Sequence, residues 1–247
     1  MPLVERSASF TPRPNLVIVR AGDGSVHNRW TRDIAEEARS WNLLVSFFGQ
    51  DEAALVPPFE MLARQQGQKW PAMHQLLASG ELPAFELVWC VDDDIACRWS
   101  DINRLFDTVA DYGLDLAQPA LDADSYVSHA ITMAKPGRVL RYTSFVEVMC
   151  PVFSRAAFER CAPPMAEALL GWGLDFVWAS LLGNPTDRIG VIDSVPVRHT
   201  RPVGRHYRMD DAYAEMRAMM DRYGAARLMT AYGARPVRQP RRPLPPG

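Results

Sequence analysis

The 247-residue chain has no uninterrupted apolar segment of the length, about 18–20 residues, that a membrane-spanning helix needs. Its first residues also lack the basic stretch and long apolar stretch of a signal peptide. These two absences favour a cytoplasmic protein. The 27 Lys and Arg residues nearly balance the 29 Asp and Glu residues, so the composition does not indicate a nucleic-acid-binding protein.

Cysteine is scarce as well. The four cysteines, Cys90, Cys97, Cys150 and Cys161, form no CxxC pair, and neither a zinc site nor a disulfide framework is indicated. Cys90 and Cys150 lie in apolar segments, where a free thiol packs as a small hydrophobic group. We therefore predict that both are buried free thiols.

Three common enzyme motifs are missing too. The chain has no GxxxxGK[ST] phosphate-binding loop. Gly22 and Gly24 follow an apolar segment, but His27 stands where the dinucleotide-binding fingerprint requires a third glycine. No GxSxG elbow is present, so a serine hydrolase is not indicated.

Short apolar runs and helical patterns alternate through the first half of the chain. This order predicts one α/β domain with a mostly parallel central sheet and helices on both faces, and residues 139–153 are expected to add antiparallel strands. Strands are predicted at 16–19, 42–48, 85–91, 114–117 and 189–193, and helices at 31–41, 71–79, 101–112 (capped by Ser100), 154–160, 164–170, 176–182 and 210–223.

The two ends of the chain differ from this pattern. Residues 1–14 are predicted to be a flexible lead-in, residues 15–234 the domain, and residues 235–247 a disordered tail rich in Pro and Arg. The basic charge of the tail suits peripheral contact with acidic lipid or with a partner. A solvated tail without function is the simpler interpretation.

An aspartate triplet, Asp92, Asp93 and Asp94, directly follows the strongest apolar run. Adjacent carboxylates repel one another, and a divalent cation such as Mg²⁺ or Mn²⁺ compensates that repulsion well. Asp92 and Asp94 share a face, because side chains alternate along an extended segment. Since open α/β sheets bind ligands at the carboxyl ends of their strands, we interpret the triplet as a metal site rather than as a solvated acidic turn.

Two single residues of the second half are further candidates. Asp175 lies between aromatic residues in the segment Gly-Trp-Gly-Leu-Asp-Phe (171–176), where apolar surroundings would raise its pKa and suit a general base. A role as the N-cap of the following helix explains Asp175 equally well. His199 follows the last predicted strand and becomes a candidate ligand only if the fold returns it to the triplet.

Together these segments resemble a plant and bacterial family known as domain of unknown function 707, which is related to GT-A glycosyltransferases. The likeness covers roughly residues 15–205 and rests on blocks at 91–95, 116–122, 145–155, 172–176 and 190–193, in this order. Asp93 stands where the family's triplet is expected to have Glu. The resemblance implies a GT-A-like domain that moves a sugar from a nucleotide-sugar donor, such as a UDP-sugar, to a glycan or other hydroxyl acceptor.

The resemblance also implies roles for individual residues. Asp94 and His199 would bind Mn²⁺ or Mg²⁺, and Asp92 would either assist them or contact the donor ribose. Asp175 would be the catalytic base of an inverting transfer. Two alternatives stay open: a sugar-phosphate nucleotidyltransferase, or a non-catalytic protein that binds nucleotide sugars or glycans on the same scaffold. The donor would contact Arg20, Gly22, Asp51, Lys69 and Asp93, and the acceptor would contact Glu147 and Trp172.

Overall fold

The computed structural model describes residues 2–8, 10–31, 38–202 and 207–237. Its strands form one sheet in the order β1-β4-β3-β2-β5-β9-β7-β10-β8-β11, and β6 pairs with the end of β10. The strands are β1 (Glu5–Arg6), β2 (Asn15–Ala21), β3 (Trp41–Phe47), β4 (Met61–Arg64), β5 (Leu87–Asp92), β6 (Ile95–Ala96), β7 (Leu116–Leu121), β8 (Arg138–Thr143), β9 (Val152–Ser154), β10 (Ile189–His199) and β11 (Ala231–Pro236). The helices are α1 (Lys69–Ala78), α2 (Trp99–Asp111), α3 (Arg155–Cys161), α4 (Leu174–Leu181) and α5 (Met209–Tyr223).

The α/β class is confirmed, but the sheet is mixed rather than mostly parallel. Strands β4, β3, β2 and β5 run parallel to one another, as do β7 and β10. Strand β9 lies antiparallel between β5 and β7, and β8 and β11 are antiparallel at the far side. The prediction of antiparallel strands within 139–153 is therefore correct. The share of antiparallel strands was underestimated because short strands give no clear alternation of apolar and polar residues in the sequence. Strands β1, β6, β9 and β4 have only two to four residues each.

Two apolar clusters cover opposite faces of the sheet. Strand β2 contributes to both, with Val17 and Val19 on one face and Leu16 and Ile18 on the other. A strand that is buried on both faces has to be apolar at every position, which explains the continuous run in the sequence. Helix α2 packs on the first face, whereas α1, α3 and α4 pack on the second.

The cysteines behave as predicted. Cys90 and Cys150 are buried and free, and burial raises the pKa of Cys90 to about 12. Among the residues that the structure describes, no helix combines the length and apolar character that crossing a membrane requires.

Several predicted helix boundaries are wrong. Trp41 begins β3 instead of ending a helix, while residues 32–37 of that predicted helix lie outside the described residues. Helix α2 is capped by Arg98 and not by Ser100, because the Asp101 carboxylate accepts a hydrogen bond from the Arg98 N–H at 3.1 Å. The helix predicted at 164–170 is a single 3₁₀ turn, Pro163–Ala166.

Both predicted chain-end segments are partly attached to the domain. In the lead-in, Glu5–Arg6 pairs with β4, and the N–H groups of Leu3 and Val4 donate to the Glu81 carboxylate at 3.0 and 2.8 Å. In the tail, Arg235 and Pro236 complete β11, which pairs with β8. The tail therefore begins later than predicted, and its residues 238–247 lie outside the described part of the chain.

Candidate functional site

A cavity of about 240 Å³ opens where β5 ends, and both halves of the chain contribute to it. Asp92 and Asp94 of the triplet meet the second-half candidates here, as expected for the carboxyl end of a central parallel strand. Its lining consists of Asp92, Asp94, Ser128, His129, Glu147, Val148, Met149, Leu170, Trp172, Asp175, His199, Pro202 and Tyr207.

Strand β10 returns His199 to the triplet. The strand extends beyond its predicted end and pairs His199 with Ile95 of β6, the residue after Asp94. The His199 Nε2 atom lies 3.3 Å from Asp94 Oδ2, and Nδ1 lies 2.8 Å from the carbonyl oxygen of Tyr126. Burial lowers the pKa of His199, but the hydrogen bond to Asp94 and its charge outweigh burial and raise the pKa above its usual value.

Asp92 is paired with Lys69 at the start of α1. The Lys69 Nζ lies 2.8 Å from Asp92 Oδ1 and donates to the carbonyl oxygens of Val148 and Met149 at 2.8 and 2.9 Å. These three acceptors use all three hydrogens of the ammonium group. The role of Lys69 in this structure is therefore to join β5 to the 148–149 wall of the cavity, rather than to present a free ammonium to a nucleotide.

Asp93 organises the loop that follows β2. Its carboxylate accepts hydrogen bonds from the Gly22 N–H at 2.8 Å and from Arg201 Nη1 at 3.1 Å. Arg201 also donates to the Gly24 carbonyl oxygen at 2.6 Å. A side chain at Gly22 would collide with the Phe48 ring, 2.8 Å from an added Cβ. Gly22 and Asp93 thus shape the loop together, and neither lines the cavity.

The remaining donor-side candidates lie away from the cavity lining. Arg20 is buried, donates to Ser46 Oγ at 2.9 Å and to the Gly67 carbonyl oxygen at 2.6 Å, and lies 4.8 Å from the centre of the Phe48 ring. Burial lowers the pKa of Arg20 to about 10. Asp51 is exposed and caps a short 3₁₀ turn through the Ala53 N–H at 2.9 Å. Arg20 is the register partner of Asp92 in the pairing of β2 with β5, but its guanidinium bonds to Ser46 and Gly67, and neither Arg20 nor Asp51 lines the cavity.

The surroundings of Asp94 suit a metal ion. Asp94 Oδ1 is buried and has no hydrogen-bond partner among the described residues, while Oδ2 faces His199. The described ranges contain no group of three or more acidic, His or Cys side chains arranged around one point, and Asp92 Oδ1 is engaged by Lys69. Mg²⁺ needs only one or two carboxylates when substrate phosphates complete its shell, so Asp94 and His199 fit such an ion without Asp92.

Two carboxyl groups lie deep in the second-half wall of the cavity. Asp175 is 7% exposed in the first turn of α4, and Glu147 is 5% exposed. Burial raises the pKa of Asp175 to about 7. Burial, and then the charge of Asp175, raise the pKa of Glu147 to about 8. Gly173, and not Asp175, is the N-cap of α4, while the Asp175 carboxylate accepts a hydrogen bond from the Phe176 N–H at 3.1 Å within the first turn.

Trp172 forms part of the cavity rim between two glycines. Gly171 and Gly173 have φ values of 82° and 96°, a left-handed conformation that favours glycine. The Trp172 Nε1 donates to the Tyr207 hydroxyl at 3.1 Å. The indole is therefore fixed while part of it stays exposed in the cavity.

Sequence reasoning missed several residues of the lining. Ser128 and His129 come from a loop without a recognisable motif, and Pro202 and Tyr207 flank residues 203–206, which lie outside the described residues. Arg201 lies outside the lining and bonds to Asp93, and it had a signal in the sequence, since it is a basic residue two positions after His199. Only the three-dimensional proximity identifies the others.

Comparison with known protein families identifies the family of this chain. Residues 59–226 match the model of the family described as "Protein of unknown function (DUF707)". The chain belongs to this family. No curated protein sequence matches this DUF707 chain.

Solved structures share the fold of this DUF707 protein. The crystal structure of S. aureus TarS 1–349 is 12% identical, with a TM-score of 0.56 over 84% of this chain and 64% of that chain. The structure of the same TarS fragment in complex with UDP-GlcNAc is 13% identical in sequence, with a TM-score of 0.52 over 84% of this chain and 65% of that chain. The crystal structure of a mycobacterial protein is 13% identical in sequence, with a TM-score of 0.51 over 91% of this chain and 86% of that chain. The expected GT-A-like fold is confirmed, while this chain spans less than two thirds of the TarS fragment.

Proposed function

We propose that this DUF707 protein is a nucleotide-sugar-dependent glycosyltransferase. The observation that carries the proposal is that one cavity joins the Asp94–His199 pair, at the end of β5, to the buried carboxyl of Asp175. The first suits the diphosphate end of a donor, and the second suits proton removal from an acceptor. The fold is shared with TarS, whose structure in complex with UDP-GlcNAc supports a UDP-sugar as the donor.

On the donor side, Asp94 and His199 would hold Mn²⁺ or Mg²⁺. The ion would supply positive charge to the departing diphosphate. Lys69 keeps Asp92 at the edge of the same cavity, where its second oxygen can accept a hydrogen bond from the donor. Asp93 fixes the loop after β2 through Gly22, and this loop borders the end of β5.

On the acceptor side, Asp175 takes the proton of the attacking hydroxyl. With a pKa of about 7, a large fraction of this carboxyl is ionised and still basic near neutral pH. Attack from the side opposite the diphosphate gives an inverting transfer. Glu147 Oε2, buried and without a hydrogen-bond partner among the described residues, can bond an acceptor hydroxyl, and the Trp172 ring can stack on a sugar. The cytoplasmic location stays a prediction from the sequence.

Thermal unfolding with UDP and Mn²⁺, added separately and together, tests the donor site. We expect the two together to raise the unfolding temperature by more than the sum of their separate effects, because a diphosphate completes the metal shell. Asp94→Ala should abolish this synergy. Wild-type protein in which UDP and Mn²⁺ act independently would contradict the metal-dependent donor site.

Product analysis distinguishes the alternatives. A glycosyltransferase releases UDP from a UDP-sugar, whereas a sugar-phosphate nucleotidyltransferase releases pyrophosphate from a nucleoside triphosphate. A non-catalytic binding protein would show the synergy in unfolding but release neither product, even with a panel of hydroxyl acceptors.

A further inference from the structure

The rim loop formed by residues 170–172 is tied to helix α5 by one carboxylate. Glu215 accepts a hydrogen bond from the Leu170 N–H through both oxygens, at 3.0 and 2.9 Å, and another from the Trp172 N–H at 3.0 Å. Leu170 and Trp172 both line the cavity. A single side chain outside the lining thus binds the backbone of two residues within it.

The loop has little freedom to follow another path. A Cβ added to Gly171 would lie 2.8 Å from the Trp70 ring, and one added to Gly173 would lie 3.1 Å from the backbone of Met216 in α5. The loop therefore runs in close contact with α1 on one side and α5 on the other. Glu215 immediately precedes Met216, so the carboxylate holds the loop where it touches α5.

The indole of Trp172 is fixed by aromatic residues as well. The ring meets Tyr207 edge-on, with centroids 6.1 Å apart, and meets Tyr213 of α5 edge-on at 5.5 Å. Edge-to-face contacts constrain the ring plane and leave a face available for stacking. Helix α5 thus controls Trp172 through Glu215 at the backbone and through Tyr213 at the ring.

We propose that Glu215 is a positioning residue, which holds the 170–172 loop so that the Trp172 ring forms a platform for the apolar face of a neutral sugar. This inference rests on the proposed function, because it assigns the platform to the acceptor. Hydrogen bonds from N–H groups to a carboxylate are stronger than those to a neutral acceptor. Misplacement of a substrate-positioning group by about 1 Å costs on the order of 100-fold in catalytic rate.

A binding experiment on Trp172 tests this role without requiring activity. The full chain is labelled with ¹⁵N-tryptophan, Trp172→Phe assigns the indole N–H signal, and methyl glucoside and methyl galactoside are titrated as neutral sugar probes in the presence of UDP and Mn²⁺. We expect a saturable shift of the Trp172 signal in the wild type. Glu215→Ala should weaken this sugar binding by on the order of 10–100-fold, because the loop loses its hydrogen bonds to a charged group.

Matched variants separate positioning from general destabilisation. Glu215→Gln keeps an oxygen that accepts both N–H groups and should restore binding to within about threefold of the wild type. Asp221→Ala removes an exposed carboxylate from the same helix and should leave binding unchanged. If Glu215→Ala does not fold, Glu215→Asp is used, since its shorter side chain cannot reach both N–H groups, and the same weakening is expected.

Each outcome decides the proposal. Weakened binding in the Ala or Asp variant, with recovery in the Gln variant, supports it. Equal sugar binding in Glu215→Ala and the wild type overturns the role of Glu215, and a Trp172 signal that neither sugar shifts in the wild type overturns the platform. Failure of the proposed function would appear separately, as the absence of UDP release from every donor.

Discussion

The acidic residues of the two halves of the chain meet in one cavity but are stabilised differently. The three aspartates at the end of β5 each have a basic partner, in order Lys69, Arg201 and His199. In the second half, Asp175 accepts from the backbone N–H of its own helix and Glu147 from a serine hydroxyl. Burial raises the pKa of Asp92 and of Asp93 as well, but Lys69 opposes the rise at Asp92, and the Gly22 N–H and Arg201 oppose it at Asp93. At the two second-half carboxyls burial meets weaker opposition, and it raises their pKa values to about 7 for Asp175 and about 8 for Glu147.

The two environments suit the two sets of carboxyl groups to different tasks. A carboxylate beside a positive group keeps its charge, which suits binding of cations and of donor hydroxyls. A buried carboxyl without such a partner exchanges its proton near neutral pH, which suits general-base catalysis. The triplet is therefore expected to control binding, and Asp175 to control the chemical step.

Asp175→Asn should give the largest effect. Asn keeps the shape of the side chain but cannot accept the acceptor's proton, and loss of general-base assistance costs about 10²–10⁴-fold in rate. Turnover with a productive acceptor, measured beside UDP affinity, checks this expectation. Near-normal turnover would leave Asp175 with a structural role and make Glu147 the next candidate for the base.

The same substitution should change how stability depends on pH. The pKa of Asp175 is raised from 3.8 to about 7 in the folded state, so its favourable contribution is complete below about pH 4 and is lost as the pH rises through 7. Asp175→Asn removes this loss. The free energy of unfolding of the variant should therefore be about 2–4 kcal/mol higher than that of the wild type at pH 8, and nearly equal to it at pH 4. Denaturant unfolding at the two pH values measures this difference, and equal differences at both would contradict a buried Asp175 whose pKa is raised.

Asp94→Ala should affect binding rather than protonation. The substitution removes the carboxylate that faces His199. Since mutation of residues that only hydrogen-bond to metal ligands already lowers metal affinity about 10–100-fold, the affinity for UDP in the presence of Mn²⁺ should fall by on the order of 100-fold. Calorimetry with and without Mn²⁺ checks this result. Metal-dependent affinity that survives the substitution would show that the ion binds elsewhere.

Arg201→Gln should give the smallest change. Arg201 is 43% exposed, and a partly exposed ion pair contributes at most about 1 kcal/mol. Loosening of the loop at Gly22 and Gly24 should weaken UDP binding by up to about fivefold and leave the unfolding midpoint nearly unchanged. A loss as large as that of Asp94→Ala would mean that Arg201 contacts the donor directly.

Local patterns in the sequence predicted the features that depend on local forces. The apolar run before Asp92 specified a buried strand and placed the triplet at its carboxyl end. Long-range pairing was not visible in the same way: nothing near Lys69 indicates that Val148 and Met149 accept its hydrogens. For the same reason, the antiparallel insertion of β9 between β5 and β7 could not be predicted.

The residues of the candidate site also differ in whether the sequence could predict them. Asp94, His199, Asp175, Glu147 and Trp172 were chosen from motifs and do share one cavity. Arg20 and Asp51 were assigned to the donor from the family resemblance, which does not determine where a side chain points, and neither lines the cavity. Glu215 gave no signal at all, because a carboxylate on an amphipathic helix has the same pattern whether it faces solvent or two backbone N–H groups.

The pH dependence of UDP release by the wild type tests most directly whether the unpaired carboxyl performs the chemistry. With a UDP-sugar and acceptor that support turnover, we expect kcat/KM to rise with pH through an apparent pKa of about 7, the value that burial gives Asp175, and we expect Asp175→Asn to lose this rise. A wild-type rate that is constant from about pH 5 to 9, or a variant that keeps the same rise, would contradict the assignment of Asp175 as the base.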